Sequence, residues 1–415
     1  MRILAAILTP LVLAAVAAAS APAWMPPPGF TTTRGGDEGR ILEVTTLAAT
    51  GPGSLAAALA AEGPRRIVFT VGGVIDLAGA TLRLRQPHVT VAGETAPSPG
   101  ITLIRGGLGI STHDVILRHL RVRPGEAGRA KKSGWDIDGI ATGDGARDVI
   151  VDHCSVSWAT DENLSASGGR FGGDSPDDWR RNSSHRITFH RCLVAEGLRN
   201  STHSKGTGHS MGSLIHDNAS DIAVIGNLYL SNNARNPLFK GGARGVVVNN
   251  LIHNSGGSAI SFGLVPEEWT GREWQRGQMA IVGNVIRRGP STPASLAPIR
   301  FGSNWGAPEC DAYVHDNRFI DRDGRELPLQ LAVEARKGLE RSGEFRLVAA
   351  APLWPTGFTA LPAAQVTTAV LADVGARPWD RDAVDRRLVE EARTGGGRII
   401  DSENEVGGYA VLRGN

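Results

Sequence analysis

Short apolar stretches rich in β-branched residues recur along the middle of the chain, each followed by a polar position and a second short apolar stretch. Stretches of this length favour strands, and they lack the three-and-four spacing of a helix. The segments with this pattern are 113–120, 147–154, 185–192, 221–228, 245–251, 280–285 and 313–318. The pattern therefore predicts a series of similar strand–turn–strand units.

The units are regularly spaced. Aligned on its polar turn residue, the unit recurs every 33 to 38 residues, apart from one interval of 23, and such a period is typical of stacked coils. The aligned turn residues are His119, His153, Arg191, Asn227, Asn250, Asn284 and Asn317. Asparagine tolerates left-handed backbone and can form a side-chain ladder between coils. We therefore predict an all-β fold, a right-handed parallel β-helix (solenoid) with coils at about 64–322.

Both ends of the predicted solenoid carry helix signals. Ser54 is a suitable N-cap for a helix within 52–61, and the apolar strand 66–71 follows it. The charged stretch 380–392 predicts a second helix, which the glycines at 395–397 end. Because the open ends of a solenoid need covering, we expect an N-terminal capping helix and a C-terminal cap segment, 323–415, in a single domain, 22–415.

The first residues indicate export. Met1 and Arg2 precede an apolar stretch that runs to Ala19, and small residues continue to Ala21. This arrangement is typical of a signal peptide, here 1–21, and predicts a secreted protein, extracellular or periplasmic. The formal net charge of +2 offers little attraction for nucleic acid or a membrane surface. We expect a monomer that binds neither.

Cysteine usage excludes a fold held together by disulfides, since the chain has only three cysteines. Cys154 and Cys192 occupy matching places in neighbouring units. They form either one bridge or a buried stack of thiols.

Four motifs carry a family resemblance. The most specific is the Arg-x-Pro triplet that begins at Arg235, followed closely by an Asn249-Asn250 turn; the others are 51–55, 136–140 and 151–154. With these motifs the chain resembles the bacterial pectate lyases of the first polysaccharide-lyase family, from about residue 35 to its end. The resemblance implies a calcium-dependent enzyme that cleaves α-1,4-linked polygalacturonate by β-elimination to unsaturated oligogalacturonides.

Such an elimination removes the C5 proton of a galacturonate, stabilises the resulting negative charge and expels the C4 oxygen. A divalent cation on the substrate carboxylate serves the second step, and Ca²⁺ takes six to eight oxygen ligands in loose geometry. By the resemblance, Asp138 and Asp161 match calcium ligands and Asp136 matches a further acidic residue of the cluster. Ser165 stands where many relatives have an aspartate, which leaves the full calcium shell open.

Strand alternation adds an expectation about the direction of these side chains. If the strand includes residues 161–165, Asp161 faces solvent while Glu162 and Leu164 point the other way.

The resemblance also implies the residues that act on the substrate. Arg235 matches the catalytic base of the family, and Lys240 stands where an arginine is usual and is expected to bind substrate. The polar loop 199–210 adds Lys205, which we expect to pair with a substrate carboxylate. His203 and His209 of the same loop either line the groove or are ordinary loop residues.

Other functions fit the sequence less well. A polygalacturonase hydrolyses with paired carboxylic acids, and its Asn-Thr-Asp pattern is absent. A non-catalytic carbohydrate-binding β-helix needs neither the Arg-x-Pro triplet nor the aspartates. A pectin lyase, which acts on the methyl ester, needs no acidic cluster. Lyases of other uronate polysaccharides are a further alternative. The sequence does not distinguish endo from exo action.

Overall fold

In a computed structural model, which describes residues 24–205, 208–338 and 341–412, the chain winds into three long sheets. Successive strands of one sheet come from successive coils and pair in parallel register. The fold is the predicted right-handed parallel β-helix. The signal peptide predicted at 1–21 lies outside the described residues.

The strands of each sheet follow one another in chain order. The first sheet contains Arg40–Val44, Arg65–Phe69, Val89–Ala92, His113–Arg118, Arg147–Asp152, His185–His190, Ser220–Ile225, Arg244–Val248, Gly277–Val282, Cys310–His315 and Phe345–Leu347. The second sheet contains Leu82–Leu84, Leu108–Ile110, Ile140–Thr142, Leu164–Ala166, Leu214–Ile215, Leu238–Lys240, Ile260–Gly263, Ile299–Phe301 and Leu331–Val333. The third sheet contains Gly73–Asp76, Ile101–Ile104, Leu120–Arg123, Ser155–Ser157, Leu193–Ala195, Leu228–Leu230, Leu251–His253, Val285–Arg287, Arg318–Ile320 and the antiparallel Glu326–Leu327.

The core is a column of stacked apolar side chains inside the coils. Val149 stands in register with Val115 in the coil before it and Ile187 in the coil after it, and all three are fully buried. β-Branched residues pack well on a pleated surface, so the recurring apolar stretches of the sequence become one continuous core.

The predicted asparagine ladder is present. Asn227, Asn250 and Asn284 each donate from Nδ2 to Oδ1 of the next asparagine, the last acceptor being Asn317, at 2.8–2.9 Å. Each acceptor oxygen also takes the main-chain N–H of the preceding asparagine. The ladder therefore satisfies polar groups that the solenoid buries.

The sequence alignment of the turns was wrong by one residue. His153 stands in register with Arg191, but the next residue at that level is Gly226, and then Asn249. These residues hold the left-handed backbone, with φ from 48° to 68°. The laddered asparagines therefore continue the column of Cys154 and Cys192, and Cys192 N donates to Asn227 Oδ1 at 2.8 Å.

The three cysteines are buried free thiols, so Cys154 and Cys192 form the stack rather than the bridge. Burial raises the pKa of the Cys154 thiol to about 12. None of the helices in the described residues is long and apolar enough to cross a membrane.

Four α-helices are described: α1 (Leu55–Ala60), α2 (Pro176–Asn182), α3 (Ala363–Asp373) and α4 (Ala383–Thr394). Short 3₁₀ turns cover Gly93–Thr95, Pro266–Trp269, Glu403–Val406 and Gly408–Leu412. The Ser54 hydroxyl caps α1 by accepting from Ala57 N, as predicted. Parallel pairing extends beyond 64–322, to Arg40–Val44 and Phe345–Leu347.

The C-terminal segment lies along the side of the solenoid. Val366 and Val370 of α3 and Leu388 of α4 pack on the outer face of the third sheet, against residues such as Leu193 and Leu228. The sequence pattern predicted α4 but not α3. This face of the sheet is therefore covered, and the outer face of the second sheet carries the candidate site.

Candidate active site

The predicted site residues precede neighbouring strands of the second sheet. Asp138 precedes Ile140–Thr142, Asp161 precedes Leu164–Ala166, and Arg235 precedes Leu238–Lys240. These strands lie in one sheet, with only Leu214–Ile215 between the last two. Adjacent strands are about 4.8 Å apart, so the fold brings together residues nearly a hundred positions apart in sequence.

Three carboxylates form the acidic cluster. Oxygen atoms of Asp138, Asp161 and Glu162 all lie within 4.8 Å of one another. Burial and the nearby charge of Asp161 raise the pKa of Asp138 to about 8. Burial acts in the same direction on Asp161, but a hydrogen bond with His209 and the surrounding positive charges outweigh it, so the pKa of Asp161 is lowered.

Glu162 is the site residue that sequence reasoning missed. The strand begins only at Leu164, so strand alternation does not apply at 161–163 and the Glu162 carboxylate does not point away from Asp161. Leu164 enters the core, as expected, whereas Asp161, expected to face solvent, is half-buried. Glu162 N donates to Asp138 Oδ1 at 3.0 Å, which ties the two loops together.

Arg235 faces this cluster. Its guanidinium forms an ion pair with Glu162, and 22% of its side chain is exposed. Its backbone is left-handed, with φ 61°, and is held where Ser213 N donates to the Arg235 carbonyl at 2.6 Å. Burial lowers the pKa of Arg235, and the charges of Asp161 and Asp138 oppose that shift.

Lys240 lines the same groove but already has partners. Its ammonium pairs with Glu268 and lies 3.4 Å from Asp217 Oδ2, and only 11% of its side chain is exposed. Arg170 contacts the same two carboxylates. Lys240 must therefore exchange partners before it can contact substrate. Its role in substrate binding stays a prediction.

The polar loop brings the remaining candidates to the site. Lys205 is exposed and lines the groove. Asp136 is anchored by Ser204, which donates to it from N at 2.8 Å and from Oγ at 2.7 Å. His209 Nε2 lies 2.7 Å from Asp161 Oδ1. The loop therefore touches two of the three predicted aspartates.

The groove itself has a volume of about 510 Å³, and Asp161, Glu162, Lys205, Arg235 and Lys240 all line it. Asp136, Asp138 and Asp161 line an adjoining hollow of about 180 Å³. Arg235 and the predicted aspartates thus meet along one continuous surface.

The tryptophans differ in whether they reach the groove. Trp158, Trp179 and Trp269 are packed in the interior, the commoner role for this residue. Trp305, in contrast, is 39% exposed and lines the groove. Its ring lies over Gly263, where a Cβ would meet the indole at 2.6 Å. An exposed ring held in this way offers an apolar face to a sugar.

The acidic cluster fits a hard cation. Ca²⁺–oxygen distances are about 2.3–2.6 Å, so oxygens within 4.8 Å of one another can share one ion. The donors are carboxylates, and burial together with the charge of Asp161 raises the pKa of Asp138, a cost that a bound cation would offset. Asp138, Asp161 and Glu162 would hold the ion. Ser165 is fully buried and its hydroxyl has no hydrogen-bond partner among the described residues.

The sequence of this chain is similar to those of known proteins over most of its length. No protein-family model matches the sequence. A probable pectate lyase C from Neosartorya fischeri is 32% identical over 384 residues, which cover 92% of this chain and 79% of that protein. The probable pectate lyase C of Aspergillus terreus is also 32% identical over the same shares. The chain belongs to the pectate lyase family. It is accordingly an enzyme of the lyase class.

Solved structures of low sequence identity share the fold. The major allergen of cedar pollen matches with a TM-score of 0.57 at 16% identity, covering 83% of this chain and 91% of the allergen. A point mutant of Bacillus subtilis pectate lyase matches with a TM-score of 0.54 at 13% identity, covering 84% and 95%. The curated relatives are fungal, so the narrower assignment to the bacterial lyases of the first polysaccharide-lyase family stays a prediction.

Proposed function

We propose that this lyase is secreted and cleaves α-1,4-linked polygalacturonate by calcium-dependent β-elimination. The observation that carries the proposal is the meeting of Arg235 with the carboxylates of Asp138, Asp161 and Glu162 in one groove. A lyase structure from Bacillus sp. N165 was determined in complex with trigalacturonate, which supports the same class of acidic polysaccharide as the substrate here.

Each residue has a part in the elimination. Arg235 accepts the C5 proton, and its burial lowers the pKa of the guanidinium and so the cost of its neutral form. Lys205 pairs with a substrate carboxylate, and Lys240 does so after it exchanges partners. Trp305 holds a sugar ring by its exposed face. When bound, calcium would supply Lewis-acid stabilisation of charge at the substrate carboxylate.

An absorbance assay tests the reaction class. Polygalacturonate incubated with the enzyme and calcium should yield unsaturated products with a new ultraviolet chromophore, and a chelator should abolish their formation. The rate should rise toward alkaline pH, because higher pH increases the neutral fraction of the base. New reducing ends without a chromophore would indicate a hydrolase, and a chelator-insensitive optimum near pH 5 would contradict both the base and the metal.

Substitutions in the acidic cluster test the metal. Asp138→Ala or Asp161→Ala should weaken calcium binding, measured by isothermal titration calorimetry, and excess calcium should restore part of the rate. Asp144→Ala, at an aspartate in a turn away from the cluster, is the matched control and should bind calcium as the wild type does. If excess calcium rescues neither variant, the aspartates have a structural role instead.

A further inference from the structure

We propose that His203 and His209 are positioning residues, which orient the Asp161 carboxylate for the cation. This inference rests on the proposed calcium dependence and assigns a purpose to the polar loop. Both imidazoles are nearly fully buried, yet their Nε2 atoms lie within 3.6 Å of the half-exposed carboxylates of Asp136 and Asp161. Two buried histidines facing an acidic cluster need an explanation beyond packing.

The two rings form a parallel pair. Their centroids are 3.7 Å apart with an angle of 18° between the planes. His209 Nε2 lies 2.7 Å from Asp161 Oδ1, and His203 Nε2 lies 3.6 Å from the same oxygen and 3.6 Å from Asp136 Oδ2. The pair therefore presents two ring nitrogens to one face of the Asp161 carboxylate.

The hydrogen bonds show which nitrogen of each ring carries the proton. Lys205 donates its main-chain N–H to His203 Nδ1 at 3.1 Å, so Nδ1 accepts and the proton of the neutral ring sits on Nε2. His209 Nε2 lies at hydrogen-bond distance, 2.7 Å, from a carboxylate oxygen of Asp161, and because a carboxylate accepts, His209 Nε2 also carries a proton. His209 therefore donates a hydrogen bond to Asp161, while the protonated Nε2 of His203 lies 3.6 Å from carboxylate oxygens of Asp136 and Asp161, beyond hydrogen-bond distance.

This arrangement differs from direct metal ligation by the histidines. A ligating imidazole offers a bare nitrogen to the ion and donates from its other nitrogen, whereas His203 accepts at Nδ1. Held from one side at Oδ1, the Asp161 carboxylate keeps its other oxygen available for a cation. The histidines thus act through the aspartate.

The loop that carries the pair is itself anchored. Thr202 Oγ1 donates to the Trp135 carbonyl at 2.8 Å, and His209 N donates to the Arg199 carbonyl at 3.2 Å. Arg199 Nε in turn donates to Asp401 Oδ1 at 2.9 Å. Because Ser204 of the loop also holds Asp136, one anchored segment fixes two carboxylates at once.

Calcium affinity measured by isothermal titration calorimetry tests the proposal without reference to turnover. Loss of a residue that orients a metal ligand typically costs about 10- to 100-fold in affinity, and we expect this from His209→Ala. His209→Gln, whose amide nitrogen reaches the place of Nε2, should restore most of the affinity. His209→Asn, whose amide is one bond shorter, should not.

Two controls separate positioning from folding. His185→Ala removes another buried imidazole, which contacts the Ser183 carbonyl and not the groove, and should leave calcium affinity unchanged. A double variant of His209→Ala and Asp161→Asn should bind calcium no more weakly than Asp161→Asn alone, because the histidine acts through that carboxylate. If His209→Ala does not fold, the calcium affinities of His209→Gln and His209→Asn are compared instead, and equal affinities would contradict the positioning role.

The outcomes distinguish the inference from the proposed function. A wild type that binds no calcium would overturn both. Calcium binding that is equal in the wild type and His209→Ala would overturn the positioning role alone. Tight zinc binding that His209→Ala removes, with calcium affinity unchanged, would make the imidazoles ligands and also overturn it.

Discussion

At the scale of single residues, burial and nearby charges shift the pKa of the Arg235 guanidinium in opposite directions. Burial lowers the pKa of Arg235, while the charges of Asp161 and Asp138 raise it. Glu162 adds a direct ion pair, which favours the charged form. A cation bound by the same carboxylates would offset their charge, so metal binding and the readiness of Arg235 to accept a proton are coupled.

Arg235→Lys should leave the fold and substrate binding largely intact while removing nearly all turnover. Lysine keeps the positive charge but not the planar fork of the guanidinium, and displacement of a catalytic group costs on the order of a hundredfold. Oligogalacturonate binding and product absorbance should be measured on the same variant. Retained turnover with weakened binding would make Arg235 a substrate anchor.

Trp305→Ala should raise KM by about tenfold with little change in kcat. The exposed indole lines the groove and has no group that takes up or releases a proton in the elimination, so its contact with a sugar contributes equally to the ground state and the transition state. Loss of stacking costs roughly 1 kcal/mol or more. Trp379→Ala, at another exposed tryptophan outside the groove, is the control. A fall in kcat at unchanged KM would contradict the stacking role.

At the scale of elements, the short strands of the second sheet were predictable in kind because apolar periodicity identifies strands and the repeat interval identifies coils. The residues at which these strands begin and end could not be predicted from the sequence. The start at Leu164 decides where Glu162 points, and a shift of a few residues in a strand boundary lies below what a hydrophobic pattern resolves.

The contacts that loops make with one another could not be predicted from the sequence either. The motifs identified Arg235 and the aspartates through the resemblance, but no periodicity links His209 to Asp161 across 48 positions. Helix α3 was missed because its valines and threonines favour strands in isolation. It is helical because Val366 and Val370 are buried against the third sheet, a tertiary effect.

Asp385→Ala should destabilise the protein by about 3–5 kcal/mol, because it leaves Asp382 as the one carboxylate of this cluster that compensates two buried guanidinium groups. Asp385 on α4 accepts from Arg123 at 2.7 Å and from Arg121 at 3.1 Å, both arginines being fully buried. Glu390→Ala, in an exposed pair with Arg393 on the same helix, should leave the unfolding midpoint unchanged. Equal effects of the two substitutions in urea unfolding would contradict this role for the buried cluster.

At the scale of the whole molecule, the solenoid and the C-terminal segment share a cluster of buried charges. Arg121 and Arg123 belong to the third sheet, and their carboxylate partners, Asp382 and Asp385, come from the chain more than 250 residues later. Charged groups buried at such a junction must remain paired, so attachment of the segment depends on the ionisation of these carboxylates.

Stability should therefore fall in acid, and Asp382→Asn should reveal the cause. Burial tends to raise the pKa of Asp382, but the charge and hydrogen bonds of Arg123 outweigh it, so its pKa in the folded protein lies below the ordinary value. A carboxyl with a depressed folded pKa contributes its full stabilisation above its unfolded pKa of about 4 and loses it as the pH falls toward the folded value. Asparagine retains an oxygen that can accept from Asp385 N at the start of α4 but carries no charge at any pH.

The difference in urea midpoint between the wild type and Asp382→Asn should consequently be largest near neutral pH and should shrink progressively below about pH 4. Asp323→Asn, at an exposed aspartate in a turn, should follow the wild type throughout. A difference that stays constant across this range would mean that the substitution acts through packing or hydrogen bonding rather than charge. The acid loss of stability would then have to come from other buried carboxylates, of which Asp152, held by His153 and His190, is the next to substitute.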